Sequence, residues 1–248
     1  MKTKRRLLFV IAMLVMATLA CSFPSIRTPK VELGSGKEIS EDRAVDAFNG
    51  IDFKGGGKII LIHGTDHKLN ISGEDNVLRY ITSKVIDEVL VIDFEKDVVT
   101  TFSTKDVVFT ITYIDINRLE VNGGALIESD NLGVQNLQIE INGGGSTTLK
   151  TQGMDALDVR LDGGNNFVIS GQAISQIVEI IGGGNYDASD LKTETTSISM
   201  TGAGNAEVWA TDTLNAKISG VGKISYWGNP KVTQNVEGLG VVEGQGVK

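Results

Sequence analysis

A short apolar strand that ends in a pair of glycines recurs along the second half of the chain. It is found at residues 119–124, 137–144 and 157–164. The glycine corner then returns four more times, at Gly183, Gly202, Gly220 and Gly238. Successive corners lie about 20 residues apart, and self-similarity at such a period is typical of repeat architectures.

The residues before each corner alternate between apolar and polar side chains. The position two residues before the corner is apolar in all seven repeats: Val121, Ile141, Leu161, Ile181, Met200, Ile218 and Val236. A period of two predicts strands with one buried face, and nothing in the repeats has helical spacing. The sequence therefore predicts an all-β fold, a single-stranded parallel β-helix (β-solenoid) with about 20 residues per coil. Its handedness stays open, and we expect right-handed coiling.

Glycine and asparagine at the corners fit this prediction. The chain has 30 glycines and three prolines, and positive φ angles at sharp corners are inexpensive for glycine. Asn122 and Asn142 precede two successive corners, so we expect their amides to stack as a ladder that satisfies polar groups at the corner.

The first 21 residues have the layout of a bacterial export signal. Four basic residues precede an apolar run that is too short to span a bilayer, and the run stops at Cys21, the one cysteine of the chain. The stretch ending at Cys21 resembles a lipobox, which predicts a lipoprotein-type signal peptide over 1–21 and lipidation of Cys21. Ordinary secretion with cleavage nearby is the alternative.

Composition divides the rest of the chain into a tether and a β domain. Residues 22–46 carry mixed charges, two prolines and no period, which predicts a flexible tether, and the β-helix domain covers 47–248. In the first part of that domain we expect strands at 48–53, 58–63, 68–72, 85–94 and 107–114, a helical turn within 74–82, and a loop at 97–106.

Charge limits the classes of partner. Without the four basic residues of the leader, 19 lysines and arginines face 31 acidic residues, a formal charge of −12. Such a surface disfavours nucleic acid and anionic lipid headgroups. We therefore expect an extracytoplasmic protein of the cell envelope or cell surface, held on a membrane by its lipid anchor, with no nucleic-acid partner.

Several motifs resemble a known bacterial family. They are FNGIDFKG at 48–55, the Asn-Gly-Gly repeats, GAGN at 202–205 and above all GVGKISYWGNP at 220–230. Over about residues 47 to 244 the chain resembles the putative auto-transporter adhesin head domain, or head GIN domain, a domain of unknown function. The resemblance implies a β-helical fold in a cell-envelope protein and brings no catalytic residues with it.

Few residues suggest a reaction centre. The glycine pairs are not followed by the strand-to-helix transition of a phosphate loop, and Asp66, His63 and His67 form a cluster that we interpret as a solvated turn. Glu120, Glu140 and Arg160 lie on successive repeats and point outward, so they are the candidate ligand-binding residues. We expect neither a metal site nor a cofactor, and a calcium ion near residues 182–190 stays open.

Two classes of function fit these features. The first is a surface-anchored, non-enzymatic binding or scaffold module, an adhesin whose partner is a cell-surface glycan or protein. The second is a carbohydrate-active β-helix enzyme, a polysaccharide lyase or hydrolase, for which Glu120 and Glu140 would be the acid and base. The first is favoured, because the repeats carry no long inserted loop that could build a substrate cleft. The sequence leaves the oligomeric state open.

Overall fold

The fold is all-β. The computed structural model describes residues 30–95, 98–102 and 106–248, and in these residues the one helix is a single turn, α1 (Asp75–Leu78). The strands are, in chain order, β1 (Lys30–Leu33), β2 (Glu38–Arg43), β3 (Gly50–His63), β4 (Lys68–Glu74), β5 (Ile81–Ile86), β6 (Val89–Phe94), β7 (Val98–Phe102), β8 (Val108–Tyr113), β9 (Arg118–Ser129), β10 (Asn136–Lys150), β11 (Met154–Trp227) and β12 (Lys231–Gly244).

Most strands belong to one large sheet. Its order is β12-β11-β10-β9-β3-β8-β4-β2, and the β5-β6 hairpin joins it through β6, which pairs with β3. Strands β1 and β7 form a separate parallel pair. The strands β12 and β2 are therefore the two ends of the main path of this sheet, and β5 is the free edge of the branch at β6.

The strands of the repeat region pair in parallel with a nearly constant offset. Arg118 of β9 lies opposite Gln138 of β10, and Asn136 of β10 lies opposite Ala156 of β11, so these two steps have the same length. The last step, from Thr213 of β11 to Lys231 of β12, is slightly shorter. The pairing offsets agree with the spacing of the corners in the sequence, including its shortening toward the end of the chain.

A column of glycines runs through these steps, and we call it the glycine ladder. Its members are Gly55, Gly123, Gly143, Gly163, Gly182, Gly202, Gly220 and Gly238, all with positive φ. A Cβ added to Gly143 would lie 2.1 Å from the carbonyl oxygen of Gly123, and one added to Gly202 would lie 2.2 Å from that of Gly182. The same contact recurs along β11, so successive steps of this 74-residue strand stack on one another.

The core lies behind the ladder and is built as the alternation predicts. Val121, Ile141, Leu161, Met200 and Ile218, which lie two residues before their corners, are all buried. Burial of apolar side chains from each strand against those of the next step joins the strands into one hydrophobic core.

One repeat has a register that differs by a residue from the sequence prediction. The ladder passes through Gly182 instead of Gly183, so Ile180 is buried and Ile181 is partly exposed. Gln176 and Val178 occupy the other inward positions, and Ile177 is 55% exposed. The sequence prediction was wrong here because three consecutive glycines follow two consecutive isoleucines, so the alternation fits either register.

Two predictions before the repeats are also corrected. The predicted strand 85–94 is a hairpin of β5 and β6, turned at Asp87 and Glu88, which both have positive φ. The predicted loop 97–106 contains β7, whose β-branched residues pair with β1. The helical turn predicted within 74–82 is present as α1.

The predicted tether over 22–46 contains two strands. Strand β1 lies in it, and β2 pairs in antiparallel fashion with β4, from Glu38 opposite Glu74 to Arg43 opposite Leu69. Arg43 donates hydrogen bonds to the carbonyl oxygens of Leu78 and Ile81, which fastens β2 to the domain. The predicted export signal and Cys21 lie outside the described residues, among which no helix is long and apolar enough to cross a membrane.

Candidate functional site

The three candidate residues from the sequence lie in one outward-facing column. Glu120 on β9 is opposite Glu140 on β10, which is opposite Arg160 on β11, and the column begins with Asp52 on β3. The register therefore brings together all three residues on successive strands. Their side chains, however, make their contacts with other partners.

Glu120 is held by its neighbours on the same strand. Its carboxylate accepts a hydrogen bond from the side-chain amide of Asn122 at 2.9 Å and pairs with Arg118 at 2.5 Å. The hydrogen bond from Asn122, followed by the charge of Arg118, lowers the pKa of Glu120 below its ordinary value. Glu120 is therefore an ionised surface carboxylate near neutral pH.

Glu140 and Arg160 do not contact each other as a pair. Glu140 accepts a hydrogen bond from Asn142 at 3.3 Å, while the guanidinium of Arg160 binds Glu179 one step further along β11. The column is thus a series of local ion pairs and amide contacts on an open surface. Exposed pairs of this kind are each worth about 0–1 kcal/mol.

The amide ladder predicted at the corners is present where two asparagines follow each other. The amide of Asn142 donates to the side-chain oxygen of Asn122 at 3.1 Å, and that of Asn205 donates to Asn185 at 3.4 Å. Because each amide is engaged by its neighbour, we interpret these asparagines as structural.

The histidine cluster does not converge on a shared point. The ring of His67 packs edge-on against Phe48 at 4.6 Å, the ring of His63 lies 6.1 Å from that of Tyr113, and Asp66 pairs with Lys68 at 2.7 Å. In the part of the chain that the structure describes, no group of three His, Cys, Asp or Glu side chains is placed to hold a metal ion.

A groove that the sequence interpretation missed lies elsewhere on the sheet, away from the Glu120 column. It has a volume of about 470 Å³. It is lined by Gln135, Gly153, Met154, Asp155, Gln172, Ala173, Ile174, Lys192, Thr193, Glu194 and Thr211. These residues come from positions roughly one step apart, from just before β10 to the last part of β11. At about 4.8 Å between strands, four steps make the groove roughly 20 Å long.

Backbone and side-chain contacts fix the spacing along the groove. The amide of Asp155 donates to the carbonyl oxygen of Gln135 at 2.7 Å, and the hydroxyl of Thr211 donates to the carbonyl oxygen of Thr193 at 3.2 Å. These hydrogen bonds join successive steps of the groove floor, whose buried members are Met154, Ala173 and Thr193.

Three charged side chains line the rim of the groove. Asp155, Lys192 and Glu194 are exposed, and none of them forms an ion pair with another described residue. Together with the side-chain amides of Gln135 and Gln172, they offer charged and neutral hydrogen-bond donors and acceptors to a bound molecule. No motif marks these residues, because only the stacking of the strands brings them together.

A buried polar cluster supports the floor from behind. The hydroxyl of Tyr186 donates to Gln176 at 2.9 Å, Gln176 donates to Thr196 at 3.0 Å, and Thr196 lies 2.8 Å from the hydroxyl of Thr193. Thr193 in turn donates to the carbonyl oxygen of Trp209. Burial raises the pKa of Tyr186 well above its ordinary value, so the phenol remains a neutral donor.

Two tryptophans have lysines above their rings, and one of these lysines, Lys192, also lines the groove. The ammonium of Lys192 is 5.8 Å from the ring centre of Trp209. The ammonium of Lys248 lies 5.6 Å from that of Trp209 and 5.1 Å from that of Trp227. Trp209 thus shares Lys192 with the groove, and the faces of both rings already carry a cation.

Several solved structures of bacterial proteins have the same fold. A crystal structure described as a putative adhesin from Bacteroides fragilis has a TM-score of 0.80, is 28% identical, and covers 86% of this chain and 99% of its own. One described as a putative adhesin from Parabacteroides distasonis has a TM-score of 0.68 and 24% identity, with coverages of 87% and 100%. A putative lipid binding protein from the same species has a TM-score of 0.64 and 17% identity, with coverages of 87% and 99%.

Family comparison confirms the resemblance read from the motifs. No curated protein matches the chain. The family model described as "Putative auto-transporter adhesin, head GIN domain" matches residues 47–230, from the FNGIDFKG motif through the GVGKISYWGNP motif. The chain belongs to this family of putative adhesin head domains.

Proposed function

We propose that the chain is a surface-anchored, non-enzymatic adhesin module that binds an extended polar polymer, a cell-surface glycan, in the groove between Gln135 and Thr211. The observation that carries the proposal is the groove itself. It crosses four steps of the sheet. It is lined with amide side chains and with three charged side chains that form no ion pair with another described residue. Family membership as a putative adhesin supports the same class of function.

The scaffold that we propose is a right-handed parallel β-helix. Parallel pairing at a nearly constant offset and the glycine ladder support it, since each step contacts mainly the next. In such a scaffold a groove that runs across the strands follows the axis of the helix. A groove that presents polar groups on several successive steps suits a long polymer better than a compact metabolite.

Glu120, one of the two carboxylates that an enzyme would have needed in this column, is unsuited to acid catalysis. A general acid requires a raised pKa, whereas the amide of Asn122 and the charge of Arg118 lower the pKa of Glu120. Glu140 is likewise engaged by Asn142. These contacts support a structural surface role for the column, and a binding role for the groove.

A carbohydrate-active enzyme is the second candidate, and one observation favours it. Asp155 and Glu194 both line the groove, so a bound glycan would meet two carboxylates. The two functions differ in what happens to a bound polymer, because only the enzyme releases new chain ends.

Binding by the groove is tested by comparing variants on two faces of the same domain. The chain from residue 22 onward is screened against arrays of surface glycans and matrix proteins. In the double variant Lys192→Ala, Glu194→Gln we expect affinity to fall about tenfold or more, since hydrogen bonds to charged groups are worth about 1.5–3 kcal/mol. Replacement of Glu120, Glu140 and Arg160 by alanine serves as the control and should change affinity by no more than a few fold.

The array has outcomes that contradict the proposal. If the triple variant no longer binds a ligand that the groove variant still binds, the binding site is the Glu120 column and not the groove. Binding to matrix proteins alone, with no glycan retained, would exclude a glycan as the ligand. Circular dichroism of each variant checks that its strands are intact.

Surface anchoring is proposed to depend on Cys21. In a bacterium that lipidates exported proteins, Cys21→Ser should move the chain from the membrane fraction to the soluble fraction. Ser22→Ala, next to the cysteine, is the matched control and should leave the chain with the membrane. If Cys21→Ser stays with the membrane as firmly as the native chain, lipidation is not what holds it there.

A further inference from the structure

The two end strands of the large sheet's main path are protected very differently. Strand β2, at one edge, has six residues, four of which are charged (EISEDR). Strand β12, at the other edge, has 14 residues, no proline, and three charged residues: Lys231, Glu237 and Glu243. Natural proteins shield edges with short strands, charges, prolines or a covering element, since an open edge offers unpaired amides and carbonyls to another chain.

The hydrophobic core is also left partly uncovered at β12. Leu214, Ala216 and Ile218 on β11 are buried, and they lie opposite Val232, Gln234 and Val236 on β12. Val236 is 38% exposed, and the outer residues Leu239 and Val241 are 80% and 55% exposed. Among the described residues, no strand covers this edge.

We infer that β12 pairs with β12 of a second copy of this chain, antiparallel and about a two-fold axis at Glu237. This inference concerns assembly and does not rest on the groove or on the proposed ligand. A closed pair of identical edges requires the antiparallel direction, because a two-fold axis reverses the strand. The pairing continues the sheet from one molecule into the other.

Charge complementarity and the length of the paired segment together select this register, because an axis at Gln234 would also place Lys231 opposite Glu237 but would pair only residues 231–237. With the axis at Glu237, Lys231 of each copy lies opposite Glu243 of the other, so the dimer gains two equivalent cross-strand ion pairs. Lys231 is exposed and forms no ion pair within the described residues, and Glu243 is already ionised beside Lys223, 2.7 Å away. A shift of the axis by one residue puts Lys231 opposite Gln245 or Val241 and loses both pairs.

The side chains on the inner face match in the same register. Val232 of one copy meets Val242 of the other, and both already pack partly buried against the core. The corner at Gly238 lies next to the axis, so the half of β12 before the corner pairs with the half after it. The one unfavourable contact is Glu237 with its own symmetry copy, which the nearby amide of Asn235 offsets only in part.

Sedimentation equilibrium of the chain from residue 22 onward tests the pairing, and this chain keeps the whole described core. We expect a concentration-dependent dimer. Lys231→Glu should raise its dissociation constant about tenfold or more, because two attractive pairs become repulsive. Glu237→Gln should lower the dissociation constant several-fold, because it removes the repulsion between Glu237 and its symmetry copy. Lys217→Glu makes the same charge change one step below the edge and should leave the dissociation constant unchanged.

Disulfide trapping tests the register directly. Thr233 of one copy should lie opposite Val241 of the other, so the double variant Thr233→Cys, Val241→Cys should give a covalent dimer on oxidation. Thr233→Cys alone should not, since its symmetry copy lies far away along the strand. A monomer up to about 200 μM, a dimer indifferent to Lys231→Glu, or a double variant that does not cross-link would overturn the inference.

Discussion

Substitution of a ladder glycine measures the close contact between successive steps. Gly143 has a φ of +145°, and an added Cβ would lie 2.1 Å from the carbonyl oxygen of Gly123 and 2.9 Å from its carbonyl carbon. Gly143→Ala therefore adds backbone strain of about 1–3 kcal/mol. It also forces apart two strands whose hydrogen bonds are worth about 1 kcal/mol each. We expect a total loss of about 3–5 kcal/mol, a large share of the roughly 5–15 kcal/mol typical of a domain.

The matched control is Gly153→Ala. A Cβ added to Gly153 meets no heavy atom within 4 Å, so the free energy of unfolding should change by less than about 1 kcal/mol. Urea denaturation, followed by strand circular dichroism and by the fluorescence of Trp209 and Trp227, gives both values. Equal stability of Gly143→Ala and Gly153→Ala would refute the stacking of glycine upon glycine.

Three further predictions concern the register, the buried cluster and pH. Ile180→Asp should cost several kcal/mol and Ile181→Asp under about 1, as measured by urea denaturation, and the reverse order would restore the register read from the sequence. Tyr186→Phe removes the donor to buried Gln176 and should cost about 1–3 kcal/mol, so an unchanged melting temperature would contradict the hydrogen bond. The contacts that lower the pKa of Glu120 contribute stability that is complete above the ordinary pKa of 4.5 and is lost as pH falls below it. Glu120→Gln should therefore flatten the loss of stability in acid, and an unaltered pH profile would argue against that contribution.

The parts of the fold that could be predicted from sequence are those with local physical causes. Positive φ is inexpensive for glycine, so the corners at Gly123, Gly143 and Gly163 could be located from their spacing alone. The alternation of apolar and polar residues identified Val121 and Leu161 as core, since successive strand residues face opposite sides of the sheet.

The errors arose where the deciding contact lies far away in the sequence. The choice between Ile180 and Ile181 is made by stacking of Gly182 on Gly163, which no local pattern reveals. The hairpin turn uses Asp87 and Glu88 at positive φ, without the glycine or asparagine that usually marks such a turn.

The groove could not be predicted for the same reason. Its lining residues come from successive steps and differ in type, from Gln135 to Asp155 to Glu194. Only the constant offset of the parallel strands places them side by side. Outward polar residues that recur at that offset are the sequence signal that could have identified the groove.

Release of new chain ends is the measurement that tests the central claim most directly. The chain is incubated with each glycan that it retains on the array, with and without calcium, and reducing ends are measured over time beside the groove variant Lys192→Ala, Glu194→Gln. A binding module predicts retained, uncut glycan and no reducing ends above the blank. Reducing ends that accumulate with the native chain and fall by about 10² or more in the variant would contradict the account and identify a glycan-cleaving enzyme.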